Sequence, residues 1–225
     1  MPAGKAFNLD CRRRARAAAE IAFVVLCVLS AEWAVIPLFG RRKDIGMIFI
    51  GVVLVFGFFS HRARGESARD IGLGLHNFWR ASRLLLLWMI PAAAVLVAVG
   101  WGFGSLHLRR PGDWSALVLN EFWLFLWGLM QQYALQAIVN KRSQEIWGKG
   151  AISIIAVSLI FSALHMPNLW LAAATLLGGS YWAWVYQEVP NLPALALSQS
   201  VMTTVLISSI PAATLHGLRV GYNYF

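Results

Sequence analysis

Charge is scarce in this chain. Only 13% of its 225 residues are Asp, Glu, Lys or Arg, and only ten are acidic; an ordinary soluble domain carries about 25% charge. So few charges cannot form a polar skin around a core of this size, which excludes a soluble globule. The 59% hydrophobic content excludes a disordered chain just as firmly. Cysteine is nearly absent. Cys11 lies beside an arginine run and Cys27 inside an apolar segment, a spacing that fits neither a disulfide framework nor a zinc site. Common catalytic signatures are missing as well. There is no His-Glu-x-x-His, no Gly-x-Ser-x-Gly, no phosphate loop and no metal-spaced Cys/His cluster, so zincin, serine-hydrolase and nucleotide-binding chemistry have no footing. No cofactor and no metal is implied.

What the chain does have is long apolar sequence, with a mean hydropathy of +0.62. Runs near the ~20 residues that a bilayer-spanning helix needs fall at 18–39, 45–60, 84–104, 115–139, 151–165, 169–187 and 192–210. The fold class expected is therefore all-α: a polytopic transmembrane helical bundle of about seven spans, six to eight with the short second and fifth runs in view. Residues 1–225 read as a single integral membrane domain. Pro37, Pro111, Pro167, Pro190, Pro193 and Pro211 mark span ends, whereas Pro91 falls inside the third span, where a kink is tolerable. Trp79, Trp101, Trp114, Trp147 and Trp170 lie near span ends, as an aromatic belt would. Residues 61–83 read as an interfacial loop with a short helix feeding the third span.

The net charge of +9 would suggest nucleic acid in a soluble protein. Here the bases sit between apolar runs, so the expectation is no nucleic-acid partner and a membrane topology written in Lys and Arg. With the N-terminus cytoplasmic, thirteen of the nineteen bases fall on the inside and six, including Arg41, Arg42, Lys43, Arg109 and Arg110, on the outside. An odd span count then puts the C-terminus outside, in a plasma (inner) membrane. The basic N-terminal run followed by apolar residues looks like a signal peptide, but the apolar stretch continues to Phe39, which favours an uncleaved first helix.

Polar groups inside a membrane are expensive, so each is a functional candidate. The fourth span carries Asn120, Glu121, Gln131, Gln132 and Gln136. Glu121 and Gln132 share a face about 16 Å apart along the axis, Gln132 and Gln136 are one turn apart, and Gly128 on the same stripe would let another helix approach. His165 ends the fifth span in Phe161-Ser162-Ala163-Leu164-His165, and Met166-Pro167-Asn168 makes a tight connection after it. Gln199 and Thr203 lie one turn apart in the seventh span. Glu32 sits well inside the first, where it is buried neutral, paired or turned to water. Glu20, four residues after Arg16, reads as an interfacial ion pair. Each of these polar groups also has a plain role in helix packing, where such hydrogen bonds are common.

The order of these motifs resembles the CPBP family (also called Abi), which holds CAAX prenyl endopeptidases and bacteriocin-processing or immunity proteins. The resemblance covers about residues 115–210. The family's Glu-Glu-x-x-x-Arg falls on Gln131-Gln132-Tyr133-Ala134-Leu135-Gln136, its Phe-x-x-x-His on Phe161 to His165, and its His-x-x-x-Asn on Gln199 to Thr203. The resemblance implies that Gln131 and His165 hold the water-activating positions, Gln199 and Thr203 the oxyanion positions, and Gln132 and Gln136 the supporting pair. Its implied partners are hydrophobic or lipid-modified peptides and membrane lipids. A glutamine amide is no general base near pH 7, yet Glu, Glu and Arg have been replaced together by amides, which keeps a polar site without an unpaired charge. Three functions follow: an intramembrane endopeptidase or close derivative; a non-catalytic pseudoprotease, immunity or scaffolding protein; and, with no inverted repeat visible to support it, a small transporter.

Overall fold

A backbone in lipid must satisfy its own N–H and C=O groups, and each apolar run does so as a helix. The computed structural model describes residues 3–40, 43–107 and 114–225. Arg41, Arg42, Arg109, Arg110 and Pro111 of the sequence reading lie outside the described residues, as do the side chains of Lys43 and Trp114. Helix α1 (Ala3–Leu29) continues through a π-helical turn at Ser30–Ala34 into α2 (Val35–Phe39). Then come α3 (Lys43–Ala63) and α4 (Phe78–Gly102). Helix α5 (Trp114–Gln132) runs through a longer π segment, Tyr133–Asn140, into α6 (Lys141–Trp147); α7 (Ala151–Ala163), α8 (Leu169–Glu188) and α9 (Leu192–Ser209) complete the bundle. The chain is an integral membrane protein: the windows Cys11–Ala34, Ile45–Ala63, Phe78–Gly102 and Leu192–Ser209 are long and apolar enough to cross a bilayer, and Ala151–Ala163 is a shorter apolar helix. Trp79, Trp101, Trp147 and Trp170 are all exposed, at or next to helix ends.

Two segments differ from the sequence expectation. The fourth span does not stop at residue 139 but continues as helix to Trp147, where Gly148 at φ 81° ends it. The stretch 61–83 holds no separate interfacial helix. Its first residues complete α3, its last begin α4, and turns lie between. Those turns are tied to the α8–α9 connection: Leu192 N donates to Gly72 O at 2.8 Å, and Asn191 Nδ2 donates to Gly74 O at 2.7 Å and to Asn77 Oδ1 at 2.6 Å.

Helix α9 is the packing centre. It lies parallel to α4, because its start meets Gly72–Asn77 while its end meets Gly100 and Ser105. It lies antiparallel to α5, because Glu121 meets Thr204 and Gly128 meets Ala196. Small residues permit both approaches. A Cβ on Gly100 would fall 2.6 Å from Ser209 O, and one on Gly128 would fall 3.2 Å from Ala196 O, so the role expected of Gly128 holds. Asn168 and Asn191 cap α8 and α9 by accepting from Leu171 N and Ala194 N, the usual service of an N-cap asparagine.

Helix alternation gathers the polar groups of the 61–77, 141–150 and 188–191 connections at one end. There Arg142, fully buried, donates from Nε to Glu20 Oε2 at 2.7 Å, from Nη2 to Glu66 Oε2 at 2.8 Å and from Nη1 to Glu145 Oε1 at 2.9 Å. Arg64 joins Glu20 to Glu145 at 2.9 and 2.7 Å. The Arg16–Glu20 pair read from sequence is present at 3.2 Å, but as the rim of this larger cluster. Burial alone would raise the Glu66 carboxyl; hydrogen bonds from Arg142 and His61, and the charges of Arg142 and Lys141, instead hold it well below the ordinary carboxylate range.

Candidate functional site

The glutamines converge. Gln132 Nε2 donates to Gln199 Oε1 at 2.8 Å, and Gln199 Nε2 donates to Gln131 Oε1. Gly128, one turn above Gln132, brings α9 near enough for these contacts; its would-be Cβ lies 3.7 Å from Gln199 Cδ. Three of the expected site residues, from two helices, therefore form one neutral amide knot. Gln131 is partly exposed, whereas Gln132 is fully buried.

Gln136 is not in the knot. Its Oε1 accepts from Asn140 Nδ2 at 2.7 Å, so it is not the direct partner of Gln132. Asn140 also donates to Ala183 O at 3.1 Å and accepts from Gln144 and Gln187 at 3.1 and 3.0 Å; Gln187 in turn donates to Ser153 Oγ at 2.9 Å. The π segment Tyr133–Asn140 holds this arrangement, with Lys141 N–H reaching back five residues to Gln136 O. Such segments occur frequently at functional sites. Gln132 Oε1 and Gln136 Nε2 are buried without a hydrogen-bond partner among the described residues, leaving one acceptor and one donor a turn apart.

His165 is placed by a different pair of helices. Its Nδ1 lies 2.7 Å from Phe161 O, so Nδ1 carries the proton and Nε2 keeps its lone pair. The Phe161 ring meets the imidazole edge-on at 4.7 Å between centroids. Gly179 makes room for Phe161, since a Cβ there would fall 3.0 Å from Cδ1 of that ring. The connection after α7 is tight as expected: Asn168 N donates to His165 O at 3.1 Å. His165 makes no hydrogen bond to Gln131 or Gln199. The link runs through side chains: Phe161 packs on Trp182 at 6.4 Å, and Trp182 Nε1 donates to Ser198 Oγ at 2.7 Å, beside Gln199.

Depth is compatible with one site. Gln187 hydrogen-bonds both Asn140 and Ser153, so those two lie at one level. From there Gln131 is nine residues up, mostly through the π segment, and His165 twelve, so both lie on the side of this level away from Arg142.

The remaining candidates are more scattered. Thr203, at the expected oxyanion position, makes no side-chain hydrogen bond among the described residues. Its neighbours Ser200 and Thr204 instead donate to the Glu121 carboxylate, Ser200 at 2.8 Å to Oε2. Glu121 and Gln132 do face the same helix, α9, as their shared stripe predicted. Glu32 lies at the far end of the bundle under Gly221. No three His, Cys, Asp or Glu side chains gather as a metal would require among the described residues. Asn140, Gln187, Trp182 and Ser198 were not foreseen. Asn140 alone had a signal, the next position on the Gln132–Gln136 stripe.

Compared with curated proteins and with solved structures, the chain has no significant match. Residues 128–205 do match a family model, described as Type II CAAX prenyl endopeptidase Rce1-like. That stretch carries every motif from Gln131 to Thr203, in agreement with the CPBP resemblance.

Proposed function

We propose that this protein is a CPBP-like intramembrane endopeptidase acting on hydrophobic or lipid-modified peptide tails, with His165 as its base. The observation that carries this reading is the fixed tautomer of His165: Nδ1 is committed to Phe161 O, and Nε2 is left to take a proton from water. Gln131 works differently from the glutamate whose position it holds. Its Oε1 accepts from Gln199, so its Nε2–H is a donor available to a carbonyl oxygen. In the reaction the water oxygen bonds to the scissile carbonyl carbon, its proton passes to His165 Nε2, and the oxygen that gains charge is held by the Gln131 amide. Gln132 and Gln199 are positioning residues, acting by orienting Gln131. In the membrane, the Arg142 end faces the cytoplasm and the C-terminus lies outside, because most of the loop bases gather at the Arg142 end.

The test is cleavage of a prenylated peptide by the purified protein in liposomes. Wild type yields a cut product, and His165→Ala lowers the rate by about 10²–10⁴-fold. Cleavage that survives His165→Ala overturns the assignment. A second reading, a non-catalytic pseudoprotease, immunity or scaffolding protein, is favoured by the closed Gln131–Gln199–Gln132 knot. Crosslinkers placed at Gln131 or Gln199 would then trap a peptide that is never cut.

A further inference from the structure

Glu32 has a carboxyl oxygen, Oε2, that is buried with no hydrogen-bond partner among the described residues. Among the described residues, the other carboxylates in the bundle interior are satisfied: Glu121 by Ser200 and Thr204, and Glu20, Glu66 and Glu145 by Arg142. An unsatisfied acid inside a membrane is costly and is by default a functional group. Glu32 also sits in the π turn Ser30–Ala34, the kind of local distortion that recurs at functional sites.

The C-terminal segment ties this acid to His165. Gly221, at φ +57°, seats its backbone directly on Glu32: a Cβ there would lie 2.7 Å from both Glu32 Cβ and Glu32 O. Only glycine adopts this conformation and this approach together. The same residue donates from its N–H to Met166 O at 2.9 Å, one residue past His165. Asn168 fixes the segment again, donating to Leu215 O at 2.8 Å and Arg219 O at 3.1 Å. Thus Glu32 and His165, from helices distant in sequence, flank one short stretch of chain, each with an unused polar atom.

We propose that Glu32 is the acid–base carboxyl of the site, standing beside His165 where Gln131 and Gln132 can supply none. This rests on the peptidase reading above. Water adds to the scissile carbonyl carbon and its proton goes to His165 Nε2. The carbon–nitrogen bond breaks as the Glu32 carboxyl gives its proton to the leaving nitrogen. The imidazolium then returns its proton to the Glu32 carboxylate, and the products are a carboxylic acid and an amine.

Two measurements test it. In protein with Cys11→Ser and Cys27→Ser, the pair Glu32→Cys and His165→Cys is treated with a short bifunctional thiol reagent; bridging is expected, and none is expected between Glu32→Cys and Ser67→Cys at the opposite end. Monodisperse protein in which 32 and 165 fail to bridge overturns the juxtaposition. In the prenylated-peptide assay, Glu32→Gln is expected to lose about 10²-fold or more, Glu32→Asp to keep measurable turnover, and the surface variant Glu188→Gln to match wild type. Glu32→Gln within twofold of wild type overturns the inference and leaves the peptidase reading standing. No cleavage by wild type overturns that reading and the acid–base role with it, while the bridging result still decides whether Glu32 lies at His165.

Discussion

The two polar networks of this bundle solve one problem with different chemistry. At one end, Arg142 sits among Glu20, Glu66 and Glu145; ten and eleven residues up the same helix, Gln132 and Gln131 form the amide knot with Gln199 of α9. Both are buried, and both tie the α5–α6 helix to distant parts of the chain. Full charges survive where helix ends and loops bring water and several partners. Halfway along the helix a charge would be costly, and amides, each with donors and an acceptor, link helices with no net charge.

Breaking the charged network should cost most. Arg142→Ala leaves three carboxylates facing one another without their shared cation, and should destabilise by about 3–5 kcal/mol, read as a fall in the thermal midpoint in detergent. The same variant distinguishes the networks by pH. Glu66 titrates well below the ordinary carboxylate range, so its contribution is complete above the unfolded-state value of about 4.3 and is lost as pH falls through the lower folded value. The Arg142→Ala deficit should therefore be constant from pH 7 to pH 5 and shrink at more acid pH. A deficit that grows on acidification would contradict the assignment.

Breaking the neutral network should cost less and be indifferent to pH. Gln199→Leu strands the Gln132 donor and the Gln131 acceptor, and should lower stability by about 1–3 kcal/mol, by the same amount at pH 7 and pH 5. Smallest is the contrast between adjacent threonines. Thr204→Ala removes a hydroxyl bound to Glu121 and should cost about 1 kcal/mol; Thr203→Ala removes none and should stay within about 0.5 kcal/mol. Equal effects from the two would show that the carboxylate does not discriminate between them.

The helices were legible because each apolar run carries its own signal, and the convergence of Gln131, Gln132 and Gln199 was legible only through the CPBP resemblance, which assigns all three to one site. Gly128 was readable from its position on the Glu121–Gln132 stripe. The Arg142 cluster was not. Two of its three carboxylate partners lie 76 and 122 residues away in sequence, and no local pattern selects which distant carboxylate meets which buried guanidinium. His61 likewise shows nothing in the sequence of its burial 2.6 Å from Glu66. Thr203 rather than Thr204 was expected at the site because motif spacing counts residues along a helix, while the partner of a hydroxyl depends on how the facing helix is rotated.

The π segment Tyr133–Asn140 has a consequence for comparing this chain with others. Its wider turns hold an extra residue that a plain α-helix would not. Relatives lacking that residue would need a single-residue gap within 133–140. Without the gap, the motif glutamines above it and Asn140 and Arg142 below cannot both be matched. A pairing based on an uninterrupted helix would put one group on the wrong face.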